Sequence, residues 1–138
     1  MTTLQRLVES YVAVWNEPDP QRRRAAVREL WAPDAVHVLQ PPEEIRRAAA
    51  GIGFDHPVLE ARGHDALDVR VARAHDEFVA PGAYVFRARG DADRLRDVVK
   101  FRWEMVPRAG GPAAGTGLEV LLLAADGRIA ADYQFIEA

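Results

Sequence analysis

Tyr11-Val-Ala-Val-Trp15-Asn16, then Asp19-Pro20, then Leu30-Trp31-Ala-Pro33-Asp34-Ala35 running into Val36-His37-Val38-Leu39, decide the fold. Around Tyr11, the residues Leu4, Leu7, Val8, Tyr11, Val12 and Trp15 recur at three- and four-residue steps, the apolar stripe of a helix of about four turns. Thr2 or Thr3 can cap its start, and Pro18 stops it near Glu17, because a residue before proline avoids helical geometry. Asp19 followed by Pro20 then starts a second helix, with the carboxylate capping and the proline in the first turn. Val27, Leu30 and Trp31 form its buried edge and Pro33 closes it, while 36–40 reads as a short strand ended by Pro41-Pro42.

Downstream, a short helix fits the stretch to Gly51, with Glu43 and Glu44 in its first turn. Residues 52–62 have no clear period and read as a loop over a cavity mouth, with Phe54, His56 and Leu59 as lid contacts. A third long helix is expected from His64 or Asp65 to Val79, with Leu67, Val71, Ala74 and Phe78 on one face. Everything after residue 83 reads as a β-meander: 84–89, then Val99, Phe101, Trp103 and Met105 alternating with Lys100, Arg102 and Glu104, then 117–124 and 128–137, with turns at Gly90 and at Asp126-Gly127. The fold class this order implies is α+β: three long helices in the N-terminal half packed on a cone-shaped, curved, mostly antiparallel sheet, enclosing a pocket.

With 138 residues the chain reads as one domain, 1–138, able to bury a core of its own. There is no cysteine, so disulfides, thiolate metal sites and cysteine nucleophiles are excluded. The net charge is −3 and the arginines are interspersed with acids, which leaves no footprint for nucleic-acid binding. Arg22-Arg23-Arg24 points in several directions on a helix and reads as a solvated face. No stretch approaches a membrane span and the N-terminus carries no leader pattern, so the expectation is a cytoplasmic protein without membrane partners. The four histidines, at 37, 56, 64 and 75, lack ligand spacing, so no metal is expected.

The segments Tyr11 to Asp19, Leu30 to Val36, Arg62-Gly63-His-Asp65-Ala-Leu67, Phe101-Arg-Trp103-Glu104 and Ala125-Asp126-Gly127-Arg128-Ile129 resemble the nuclear transport factor 2-like superfamily over nearly the whole chain. That superfamily includes SnoaL-like polyketide cyclases, ketosteroid isomerases, limonene epoxide hydrolases and scytalone dehydratases. The resemblance implies a cone fold, commonly dimeric, whose members differ in what lines the cone. In the ketosteroid isomerase pattern the hydroxyl donor of the first helix falls on Tyr11 and the protonated acid on Glu119. The carboxylate base of the first strand falls on Leu39 or Gln40, neither of which can take a proton. The acid that SnoaL-like cyclases carry in the last strand corresponds to Gln134, with Asp132 two residues earlier on the same strand face. An epoxide-hydrolase arrangement from Asp132, Glu119 and Arg102 is opposed by strand parity, which sets Arg102 opposite Phe101 and Trp103.

Each candidate has a second use. Tyr11 is either a pocket phenol or a core tyrosine, and Glu119, flanked by Leu118 and Val120, is either exposed at a surface or dimer interface or held neutral inside. Asp132 is a solvent-facing strand residue or an acid, and His37 a structural histidine or a base. The expected site is therefore catalytic Tyr11, Glu119, His37 and Asp132, with ligand contacts from Trp15, Val38, Gln40, Phe54, Phe101, Trp103 and Gln134. Such a pocket suits a small hydrophobic molecule and acid–base chemistry with no cofactor, in a homodimer. A non-catalytic ligand-binding or dimeric interaction module is the alternative, and the absent strand-one carboxylate favours it.

Overall fold

The computed structural model describes residues 1–137. In chain order the elements are α1 (Thr3–Asn16), α2 (Pro20–Leu30), β1 (Trp31–Leu39), α3 (Glu43–Gly51), β2 (Leu59–Arg62), α4 (His64–Ala74), β3 (Tyr84–Ala88), β4 (Asp93–Leu95), β5 (Val98–Pro107), β6 (Gly115–Leu123) and β7 (Ile129–Glu137). The strands form one sheet in the order β2-β1-β7-β6-β5-β3, with β4 paired to β5. Every pairing is antiparallel except that of β1 with β7. This is the α+β arrangement expected, with α1, α2 and α4 as its long helices.

Helix α1 opens on a capping box, in which the Thr2 hydroxyl accepts from the Gln5 amide at 3.1 Å and the Gln5 side chain accepts from the Thr2 amide at 2.8 Å. Two amides left open at a helix start are thereby satisfied. Asp19 caps α2 through the Gln21 amide at 3.0 Å. Trp31, expected on the buried edge of this helix, is already extended at φ −102° and ψ 144°, and the strand starts there rather than at Val36. Pro33 thus lies inside β1 instead of ending α2, at the point where the β1–β7 pairing jumps from Trp31↔Ile129 to Val36↔Ala131. The irregularity accommodates a residue with no amide to offer the ladder.

Two further expectations need correction. The segment 52–62 is not wholly loop, since Leu59 to Arg62 pairs antiparallel with β1, Leu39↔Leu59 to Val36↔Arg62. Four residues are too few to display a period, and an edge position supplies the pairing instead. The third long helix is α-helical only to Ala74 and continues as one wide π-turn, His75–Val79, which buries His75 and Val79 and closes with the Ala80 amide on the His75 carbonyl at 2.8 Å.

The core lies between the helices and one sheet face, built from Val8, Tyr11 and Val12 of α1, Val27 of α2, Leu67 and Val71 of α4, and Trp31, Val99, Phe101, Leu121 and Ile129 of the sheet. Alternation puts Val120, Leu122, Tyr133 and Phe135 on the opposite face, where Leu122, Tyr133 and Phe135 are exposed. Helix α3 buries none of its side chains. Among the described residues no helix is long and apolar enough to cross a membrane.

Candidate functional site

Three neighbouring strands and one helix meet in a polar cluster inside this apolar core. In the sheet His37 of β1 pairs with Asp132 of β7, Gln134 of β7 with Glu119 of β6, and Glu119 with Phe101 of β5. Tyr11 reaches the cluster from the buried stripe of α1, and its hydroxyl donates to Asp132 Oδ2 at 2.7 Å. Exposure is 2% for Tyr11, 1% for His37 and zero for Glu119 and Asp132. Both acids therefore take the interior alternative, and the histidine is buried beside them.

Aromatic rings enclose the cluster. The Tyr11 ring meets Phe101 edge-on at 5.2 Å between centroids, and Trp31 at 5.5 Å, while Trp15 stands 6.1 Å from Tyr11 and 5.7 Å from the His37 ring. Trp103 donates its Nε1–H to Glu119 Oε1 at 3.0 Å. That approach depends on Gly117, the cross-strand partner of Trp103, because a Cβ there would clash with the indole ring. Glycine is required for room, and its conformational freedom is beside the point.

Several buried atoms in this region have no protein partner: Glu119 Oε2, Asp132 Oδ1, and the indole nitrogens of Trp15 and Trp31. A buried carboxylate without a cation is disfavoured, and burial first, then the negative charge of Asp132, pushes the Glu119 carboxyl well above the usual carboxylate range. Held as the neutral acid, Glu119 has a proton to donate, and its Oε2 has no partner among the described residues. Burial also raises the Tyr11 phenol, with Asp132 and Glu119 adding to the effect, so the hydroxyl stays a donor. Burial lowers His37 below its ordinary value, although the Asp132 charge opposes this.

His37 Nε2 lies 2.9 Å from Gln134 Oε1 and 3.9 Å from Asp132 Oδ2. Its other nitrogen, Nδ1, accepts from Arg70 Nη1 at 2.9 Å, and the same guanidinium nitrogen donates to the His37 and Leu59 carbonyls. One donor atom each from His37, Glu119 and Asp132 falls within 4.8 Å of the others, a set that suits a cation only if His37 Nε2 carries no proton.

Of the expected site residues, Tyr11, Glu119, His37 and Asp132 come together, with Trp15, Phe101, Trp103 and Gln134 against them. Three others do not. Val38 follows His37 on β1 and so points to the opposite sheet face beside Tyr133. Gln40 is used in backbone pairing, its Oε1 accepting from the Ile136 amide at 3.2 Å. Phe54 is 62% exposed and His56 is exposed too, so neither side chain covers the cluster. Arg102 pairs with Glu137 at 3.0 Å and Asp91 at 3.4 Å outside the core, as parity requires. Sequence reasoning missed Arg70, whose signal was a charged residue next to Val71 on the packing side of α4. A shallow cleft of about 390 Å³ between α1 and α2 is lined by Val14, Glu17, Arg22 and Ala26, and no cluster residue contributes to it.

No protein-family model matches the chain. Among curated proteins it matches the protein nucleotidyltransferase YdiU of Shewanella sp. strain MR-4 and of Shewanella oneidensis strain MR-1, each at 39% identity over 79 residues. That stretch is 56% of this chain and spans only 16% of the length of those relatives. Among solved structures, a SnoaL-like family protein from Agrobacterium tumefaciens strain C58, provisionally assigned as an isomerase, superposes with a TM-score of 0.78 at 25% identity, covering 100% of both chains. A SnoaL-like protein of unknown function from Burkholderia thailandensis E264 gives 0.67 at 17% identity, over 100% of this chain and 99% of the other. A provisionally assigned polyketide cyclase from Sinorhizobium meliloti gives 0.60 at 19% identity, over 94% of each chain.

Proposed function

The chain belongs to the nuclear transport factor 2-like superfamily, and on that premise we propose that it binds a small, largely apolar organic molecule against Tyr11, Glu119 and Asp132. In this reading it acts on that molecule by acid–base chemistry, as an isomerase, cyclase or hydrolase. The observation that carries the reading is the 2.7 Å bond from the Tyr11 hydroxyl to Asp132, in an apolar core where Glu119 and Asp132 each keep an unpaired oxygen. Asp132 takes the proton that the missing strand-one carboxylate would have taken. Glu119, neutral through burial, returns a proton or hydrogen-bonds a developing enolate oxygen, and the Tyr11 phenol, whose one proton goes to Asp132, holds that carboxylate in place. The provisional isomerase and cyclase assignments of two structural neighbours lie within this class of chemistry.

The test is turnover of enones, β-diketones and epoxides by the wild type, Asp132→Asn and Tyr11→Phe. Asp132→Asn is expected to lose roughly 10²–10⁴-fold of any activity found, the usual contribution of a general base. Absence of turnover, together with no co-purifying small molecule in native mass spectrometry, would retire the reading.

A non-catalytic binding or interaction module is the second reading, and the closure of the cluster favours it, since none of its four central residues exceeds 2% exposure. Under either reading we place a homodimer contact on the outer sheet face, where Leu122, Tyr133 and Phe135 stand exposed beside one another. The match to YdiU covers too little of that enzyme to bring nucleotidyl transfer with it.

A further inference from the structure

Arg70 makes three contacts with one guanidinium nitrogen, and only one of them constrains chemistry. An arginine has hydrogens and no acceptor, so a ring nitrogen 2.9 Å from its Nη1 must present a lone pair. His37 Nδ1 is therefore bare, and the ring proton of the neutral imidazole sits on Nε2. An Nε2–H needs an acceptor, and the atom 2.9 Å away is Gln134 Oε1. Once that oxygen is engaged, the NH₂ end of the Gln134 amide is the end left over. It makes no hydrogen bond among the described residues, and the side chain shares its strand face with Asp132 and sits opposite Glu119.

We infer that Arg70 is a positioning residue: it holds His37 as the Nε2–H tautomer, and His37 in turn fixes the Gln134 amide by its oxygen. The relay has two chemical consequences. The first is that His37 is neither the base of this site nor a metal ligand through Nε2, because that atom carries the proton. The charged and titratable groups facing the ring agree with this: Arg70 of α4 disfavours imidazolium, Asp132 of β7 favours it, Glu119 of β6 and Tyr11 of α1 are neutral, and burial decides for the neutral ring. The second is that the position where the resemblance expects an acid carries a donor. With its oxygen taken by His37, Gln134 has only its NH₂ to offer, so a ligand that reaches this amide must bring an acceptor, such as a carbonyl or enolate oxygen. This second consequence rests on the proposed function, while the relay itself does not.

The experiment is long-range ¹H–¹⁵N correlation of the histidine side chains in uniformly labelled protein, with His37 assigned through the backbone, from pH 5.5 to 8. Wild type is expected to show one tautomer, with Nε2 protonated and Nδ1 bare, and a titration midpoint below the ordinary histidine value. Arg70→Met is expected to lose the single-tautomer pattern and to move the His37 midpoint upward, and Arg70→Lys to restore the pattern at least in part. Gln134→Ala is expected to keep the tautomer but to speed exchange of the Nε2 proton with water. Zinc chloride added to wild type is expected to leave the His37 resonances in place.

A wild-type Nδ1–H tautomer overturns the inference. So does an unchanged spectrum in Arg70→Met, loss of the tautomer in Gln134→Ala instead, or a zinc-dependent shift of His37 Nε2. If Arg70→Met fails to fold, the wild-type and Arg70→Lys spectra decide alone. None of these readouts needs turnover, so failure of the relay and failure of the proposed function are separate results.

Discussion

A carboxyl group buried with another carboxyl and no paired cation is held in its protonated form, and Glu119 makes that a measurable property of the folded state. Its pKa is raised above the ordinary 4.5, so above pH 4.5 the native state keeps a proton that the unfolded chain has released. Stability from this group is full below pH 4.5 and falls as pH rises toward the folded value, at about 1.4 kcal/mol per pH unit for one retained proton. His37, lowered from 6.5 by burial, works the other way: it is neutral when folded, and below 6.5 the unfolded chain binds the extra proton, so its contribution rises with pH up to 6.5. Glu119→Gln keeps the shape and removes the titration, so the difference in denaturation free energy between wild type and variant should fall as pH rises from 4.5 toward the folded value, the His37 contribution cancelling between the two. A flat difference from pH 5 to 8 would mean that Glu119 is ionised in the fold. From sequence, the helical stripe of α1 named the face of Tyr11, while Glu119 stayed open between a surface or dimer interface and the interior. Asp132 was left open between solvent and interior and His37 between a structural role and a base, because the parallel register joining residues 37 and 132 depends on a pairing that no local pattern encodes.

At the scale of elements, the helix starts were written in the chain, since a threonine with a glutamine three residues on, and an aspartate before a proline, carry their own hydrogen-bonding logic. The start of β1 and the existence of β2 were not, because Trp31 serves a helical stripe and a strand equally well and an edge strand of four residues gains its definition from its neighbour. The packing of β5 on β6 supplies a test of its own. Gly117 leaves the space in which the Trp103 indole lies on its way to Glu119. Gly117→Ala should displace the ring, with a loss of about 1–3 kcal/mol typical of overpacking. Thermal unfolding would read the loss, and a red shift of tryptophan emission would read the displacement. An unchanged melting point would show that the sheet relaxes around an added methyl group.

For the whole molecule, the sheet turns its buried acids and aromatic rings toward the helices, and on its other face exposes Leu122, Tyr133 and Phe135 among charged residues, the patch on which the homodimer contact is proposed. Wild type is expected to sediment at twice its 15.3 kDa mass, and Phe135→Glu as a monomer with an unchanged circular dichroism spectrum. A monomeric wild type would leave that face bare in solution. Helix α3 belongs to neither side. It buries nothing, and its two arginines, Arg46 and Arg47, stand in a segment held by little more than its own backbone bonds. Trypsin should therefore cleave there well before it reaches Arg23, which is buried against α1. The two fragments should stay together as one particle, because β1 on one side of the nick is zipped to β2 and β7 on the other.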